Sequence, residues 1–398
     1  MQEHTQKVEG GAIGEDWAIV ESMLPAQWMD KARELGAFTR VRSFPDARAL
    51  LRVMLIHLAE GCALRETAVR ASLAGIADVS DVALFKRLRL CGPWFEWLAQ
   101  RLREALETRD MRDAAEPVPA LLGQRRVRVV DGSVVREPGP TGSQWRLHYA
   151  IGLPDLHCQE VHVGPSDDGE TLKRFDVHAG DLFIADRGYA QPPGIAHVCA
   201  RGGDVMIRMN LVTLPLYGRA TGAGRVDVLA HARTLAIGEV RSWPVEVRPA
   251  KQGRGAASPT PILGRLCALK KSRTASEKAR ERVRRESQRG GCELQPETLE
   301  AADYVFIFTT LPAEIDAAQV LAIYKLRWQI ELEFKRLKSL IQLGHLKKHD
   351  PQAARSWLQG KLLVALIVAR LIAHAERVSP WGYEIAATQQ ASYALSVA

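Results

Sequence analysis

Four residues of the segment YKLRWQIELEFKRLK have the types and spacing for phosphate chemistry: Tyr324, Arg327, Glu331 and Lys338. On a helix turning about 100° per residue they fall within an arc of roughly 60°, spread along about 21 Å. A carboxylate flanked by two cations and a phenol can hold a metal ion through Glu331 and grip phosphate oxygens through Arg327, Lys338 and Tyr324. The same spacing allows a plainer reading, a helix stabilised by Glu331 and Lys335 at i,i+4. Ile323, Leu326, Ile330, Phe334, Leu337 and Ile341 form a neighbouring apolar stripe, so the polar arc sits at the edge of a core-facing helix. The pattern predicts one helix over 313–343, ended by Gly344.

Other elements must supply whatever this helix faces. In RRVRVVDGS, Val127 and Val129 alternate with Arg126 and Arg128, which predicts a strand ending at Asp131-Gly132. DLFIAD predicts a second strand ending at Asp186. Strand-end aspartates of this kind often only make turns. WRLHYAIGL, HCQEVHVG, DVMIRMN and YVFIFTTLP read as further strands, with a helix near 170–174, which together predict a mixed α/β sheet. Residues before about 120 read as helices, from the three-and-four spacing of Leu50, Leu51, Met54, Leu55 and Leu58 and of Trp94, Phe95, Leu98 and Leu102. Gly61 stops one helix, ALRETAVRA starts the next, and Ser80 or Asp81 caps VALFKRLRL, which carries Lys86, Arg87 and Arg89. This resembles a helix-turn-helix, in which Lys86 and Arg87 would contact DNA; a helical bundle with a solvated basic face fits equally. AEPVPALLGQ, residues 115–124, reads as a linker.

The whole-chain numbers set limits. The chain has 398 residues and 54 Lys and Arg against 46 Asp and Glu, a formal net charge of +8. The longest apolar run, 362–369, is far short of the ~18 residues of a membrane span, so no membrane association is expected. The polar N-terminus lacks a secretory pattern, and six scattered cysteines without a CxxC pair point to a reducing, cytoplasmic setting. The histidines show no regular ligand spacing. Residues 270–289 carry nine Lys and Arg against three Glu, either a phosphate-tracking surface or a solvated helix face. The Gly-rich GRATGAG lacks a following GK[ST] and reads as a loop.

Tyr324, Arg327, Glu331 and Lys338 together match a Y-(2)-R-(3)-E-(6)-K pattern and resemble the bacterial DDE transposases of the insertion-sequence-four family. VVDGS and IADRGYA match that family's two other acidic blocks, with Asp186 55 positions after Asp131 and Glu331 145 positions after Asp186. The resemblance covers about 40–345. It implies an α/β, RNase H-like catalytic core (123–210 and 303–350) split by a β-rich insertion (211–302). A helical N-terminal domain (1–122), with a possible role in binding DNA ends, precedes this core, and a helical C-terminal tail (351–398) follows it. It implies Asp131, Asp186 and Glu331 as catalytic residues and ligands of two Mg²⁺ ions, replaceable by Mn²⁺, with Tyr324, Arg327 and Lys338 clamping phosphates. The activity implied is cut-and-paste transposition: strand cleavage and strand transfer at insertion-sequence ends, often through DNA hairpins. The partners implied are double-stranded DNA at terminal inverted repeats, target DNA and a second copy of the chain. Relatives stack a Trp of the insertion on a flipped base, and Trp243 is the only Trp between Asp186 and Arg327, though a packed strand Trp fits as well. The apolar helix over 356–378 offers either a dimer surface or a face packed within the chain. A non-catalytic DNA-binding regulator and another RNase H-like nuclease are the alternative functions.

Overall fold

The computed structural model describes residues 11–41, 43–107, 120–136, 144–154, 156–220, 222–250, 260–291, 293–344, 346 and 350–375. Residues 115–119 of the proposed linker and the residues beyond 375 lie outside them.

Five helices come first: α1 (Gly11–Met23), α2 (Trp28–Glu34), α3 (Ala47–Ala59), α4 (Leu64–Leu73) and α5 (Asp81–Glu107). Asp46 caps α3 by accepting from the Ala49 N–H at 2.7 Å, and Ser80 caps α5 by accepting from Ala83 at 3.2 Å. The basic stretch with Lys86 and Arg87 is only the first third of α5, which continues through Pro93. A helical proline leaves the carbonyl four residues earlier without its donor. Here that carbonyl belongs to Arg89, and the Ser356 hydroxyl donates to it at 3.1 Å.

Ser356 lies on the last described helix, α12 (Pro351–Ala375). This helix packs along α5 and against α3, where a Cβ on Gly360 would stand 2.4 Å from Leu58. Leu362, Leu363, Leu366 and Ile367 are buried there. Most of the face considered as a dimer surface is therefore covered within the chain, where the helical domain supplies the apolar partner, while Leu371 is half-buried and Ile372 exposed at its end. Among the described residues no helix is long and apolar enough to cross a membrane.

The sheet has eight strands: β1 (Arg126–Arg136), β2 (Gln144–Gly152), β3 (Cys158–Pro165), β4 (Asp181–Ala185), β5 (Asp204–Arg208), β6 (Val240–Val247), β7 (Ile262–Lys270) and β8 (Tyr304–Thr309). Their order is β3-β2-β1-β4-β5-β8-β7-β6, with β1, β4 and β5 parallel and every other pairing antiparallel. Helices cover both faces. Val127, Val129, Leu182 and Ile184 face α5, α12 and α11 (Trp328–Ser339). Val130, Phe183, Val205 and Ile207 face α6 (Pro192–Cys199) and α7 (Val228–Arg233).

This mixed α/β arrangement fits the RNase H-like fold. The segment 211–302 differs from expectation. Among its described residues only β6 and β7 are strands, and both extend the same sheet; α7, α8 (Arg273–Gly290) and α9 (Pro296–Ala301) make up more of it. The segment is thus not β-rich. The basic run lies in α8 from Arg273 on, where no residue is buried, while half-buried Lys270 ends β7. The expected helix at 170–174 is a single 3-10 turn, Leu172–Arg174.

Candidate active site

The sheet register brings two of the acids together. β1 and β4 pair in parallel, with Val130 opposite Ala185 as their last partners, so Asp131 and Asp186 are the next residues along two adjacent strands. Alternation puts Asp131 on the face of Val127 and Val129, and Asp186 on the face of Leu182 and Ile184. That face is the one covered by α11. Contrary to the turn expected at Asp131-Gly132, β1 runs on to Arg136, held by its antiparallel pairing with β2. Only its pairing with β4 ends at Asp131.

The third acid is delivered by a broken helix. Instead of one helix over 313–343, α10 (Ala317–Tyr324) begins at an Asp316–Gln319 capping box, a 3-10 turn spans Lys325–Arg327, and α11 follows. The break changes the angular relation of Tyr324 and Arg327 to Glu331 from that of a continuous helix. Ile330, Phe334 and Leu337 anchor α11 in the core, as the apolar stripe predicts. Glu331 lies in its first turn and pairs with Arg327, Nη2 to Oε1, at 2.5 Å. Lys335, its expected partner, lies over the Trp328 ring instead, 5.1 Å from the centroid.

Arg327 also approaches Asp131, Nη1 to Oδ2, at 4.0 Å, and only 14% of its side chain is exposed. One guanidinium thus links an acid of β1 to the acid of α11. The Tyr324 hydroxyl donates to the Ala185 carbonyl at 3.2 Å, which fastens α10 to the residue preceding Asp186. Burial raises the Tyr324 phenol well above its ordinary value, and the Asp186 charge adds to this. Asp186 Oδ1 is buried without a hydrogen-bond partner, with Arg208 Nη1 4.0 Å away. Burial pushes the Asp131 carboxyl up to about 7, against the Gly132 N–H bond and Arg327, with Glu170 and Asp186 adding to the rise.

The remaining predicted residues are not gathered here. Lys338 is exposed near the end of α11, about 10 Å along the helix from Glu331. Trp243 lies on β6, the far edge strand, five strands from β1 and so roughly 24 Å away. It packs edge-on against His231, at 5.4 Å, in the core of the opposite face. The packed-strand reading of Trp243 therefore describes its place. Lys86 is exposed on α5, and Arg87 stands 3.5 Å from the Thr39 hydroxyl. Neither is brought to the acids. Two residues not singled out in the sequence, Glu170 and Arg146, do stand beside them, as does Tyr189 of the IADRGYA block. Arg146 Nη1 lies 3.2 Å from Glu170 Oε1.

The donor chemistry fits a hard cation. The acids offer only oxygen, Asp186 Oδ1 lacks a partner, and Asp131 is desolvated in a way that a positive charge would relieve. As the side chains stand, no three His, Cys, Asp or Glu among the described residues converge on one point, and Arg327 lies between Asp131 and Glu331.

Residues 122–367 match the family model described as Transposase DDE domain. The chain is 35% identical over 364 residues to the putative transposase InsL for insertion sequence element IS186A of Escherichia coli K12, covering 90% of this chain and 94% of that protein. It is also 35% identical over 365 residues to the transposase for insertion sequence element IS421 of Escherichia coli, with the same shares. With more than half of its length in the family model and near-complete coverage of these relatives, the chain belongs to the DDE transposase family.

Proposed function

We propose that this transposase cuts and rejoins DNA at the ends of an insertion sequence in a metal-dependent, cut-and-paste reaction of the insertion-sequence-four type. The observation that carries this is the register of β1 and β4, which sets Asp131 beside Asp186 under the helix that carries Glu331. Asp131, Asp186 and Glu331 would hold two divalent cations, Mg²⁺ or in its place Mn²⁺. Bound there, the ions activate an attacking oxygen and stabilise the leaving oxygen of a phosphodiester. With cation held by these acids, Arg327 would be released from its carboxylate partners and could offer its guanidinium to the phosphate beside the scissile bond. Tyr324 holds α10 against the Ala185 carbonyl, next to Asp186. Lys338 meets phosphates further along the strand. Water is the first nucleophile, and the freed 3′-hydroxyl is the second; no side chain forms a covalent bond to DNA.

The helical N-terminal domain, with Lys86 and Arg87, is assigned to the terminal repeats, and α8 to the DNA backbone near the cut. Arg187, next to Asp186, pairs with Glu286 of α8 at 3.7 Å, which supports that placement. Two copies would act together to synapse two ends, in the cytoplasm on chromosomal DNA.

The test uses the purified full chain, Mg²⁺ and labelled DNA ending in the element's inverted repeats. End-specific nicking that Glu331→Ala abolishes is expected. Nicking that survives this substitution, or end binding without any nicking by wild type, overturns the catalytic assignment, and the second result favours a DNA-binding regulator. Cleavage indifferent to the terminal repeats favours a general RNase H-like nuclease.

A further inference from the structure

Each of the two paired aspartates is followed closely by a glycine, Gly132 after Asp131 and Gly188 two positions after Asp186. Neither has a positive φ, so the backbone at these points would accept any side chain. A glycine inside a strand such as β1 weakens it. What both positions require is room. A Cβ at Gly132 would stand 2.8 Å from Glu170 Oε1, and a Cβ at Gly188 only 1.6 Å from Oε2 and 2.9 Å from Cδ. The Glu170 carboxylate therefore lies in a slot between the two backbones that carry Asp131 and Asp186. Arg146 closes one side of the slot, and Gln191 Nε2 donates to the carbonyls of both Glu170 (3.2 Å) and Gly188 (3.3 Å).

A second observation comes from Tyr189. Its side chain is fully buried, its hydroxyl has no hydrogen-bond partner, and the carboxylates acting on it are Glu170 and Asp131. A fully buried phenol left unpaired beside two acids is a polar group that those residues do not satisfy among themselves.

We propose that Glu170 is a fourth carboxylate of this site, that it helps Asp131 and Asp186 to bind the divalent cation, and that residues 132 and 188 are glycine in order to admit it. The assignment rests on the metal-dependent reading above. It explains the DG and DRG sequences as one device: just past each aspartate, within β1 at Gly132 and in the 3-10 turn Arg187–Tyr189 after β4, the backbone is left bare for the same glutamate.

The test is a Mn²⁺ titration of the full chain, with free Mn²⁺ read by electron paramagnetic resonance and with no DNA present. Glu170→Gln keeps the shape of the side chain and is expected to weaken Mn²⁺ binding by about tenfold or more. Gly188→Ala is expected to weaken it similarly, because the new methyl displaces the carboxylate. In the Glu170→Ala background the same methyl meets only the Cβ of residue 170 at 3.5 Å, an ordinary contact, so Gly188→Ala should then add nothing. Asp131→Asn serves as the reference. If Asp131→Asn loses Mn²⁺ and Glu170→Gln binds as wild type does, the role of Glu170 is refuted and the metal site stands. If both bind as wild type does, the metal reading itself fails. A Glu170→Gln protein that melts lower but binds Mn²⁺ normally assigns the residue to structure and also refutes the proposal.

Discussion

Replacing Asp131 by Asn separates what the site requires from what the fold requires. Burial lifts this carboxyl from 3.8 to about 7. A group whose folded value lies above its unfolded value contributes stability at low pH, and that contribution is lost as pH rises toward the folded value. At about 1.4 kcal/mol per unit, a rise of roughly three units amounts to ~4 kcal/mol against the fold above neutral pH. The side chain is 20% exposed and Arg327 stands nearby, so about half of this, ~2 kcal/mol, is the expected gain on removing the charge. The amide can still accept from the Gly132 N–H, which the carboxylate does at 2.8 Å. In urea titrations with EDTA at pH 8, Asp131→Asn should be the more stable protein. The difference should shrink as pH falls below about 7 and vanish near 4, where wild type is protonated both folded and unfolded. Mg²⁺ should raise wild-type stability at pH 8 and leave the variant nearly unchanged. A variant no more stable than wild type at pH 8, or a gain independent of pH, refutes the argument that Asp131 is held at the expense of the fold.

Three further outcomes follow from the packing. Tyr324→Phe removes the bond to the Ala185 carbonyl and should lower stability by about 1 kcal/mol in urea unfolding; it should reduce end nicking more than end binding in gel-shift assays. Trp243→Ala should leave end nicking within about twofold of wild type while lowering the melting temperature, since Trp243 packs on His231 far from the acids. Leu363→Ala should destabilise the chain by about 2–5 kcal/mol in chemical unfolding without changing the mass measured by light scattering, because Leu363 is buried inside the chain.

Much of the site was legible because it depends on local periods. The alternation around Val127 and Val129 and the apolar run before Asp186 mark two strands, and the stripe from Ile330 to Leu337 marks the helix that covers them. The strand order was not legible locally, yet the resemblance of the three acidic blocks implied the same neighbours. What escaped the sequence depends on contacts far apart along the chain. An apolar helix announces that something covers it and not what; α12 packs along α5, and its Ser356 hydroxyl sits at the carbonyl that Pro93 leaves bare. The expected end of β1 at Asp131-Gly132 failed for a related reason. An Asp-Gly pair is a turn signal only if glycine is needed for its backbone freedom.

At Gly132 the strand continues through ordinary backbone, and the missing side chain makes space for Glu170, which arrives from a loop 38 positions later. The same distinction applies to the helix break at Lys325–Arg327. Counting at a constant angle places Tyr324, Arg327, Glu331 and Lys338 on one arc; across the tighter turn Arg327 pairs with Glu331 four residues on and approaches Asp131, while Tyr324 reaches the Ala185 carbonyl. Lys338, beyond the turn and near the exposed end of α11, is left outside that cluster. The spacing pattern thus contains two groups with different tasks. Tyr324 and Arg327 tie the α10–α11 segment to Ala185 and Asp131, and in the proposed reaction Lys338 would act only by meeting a DNA strand that runs past the acids.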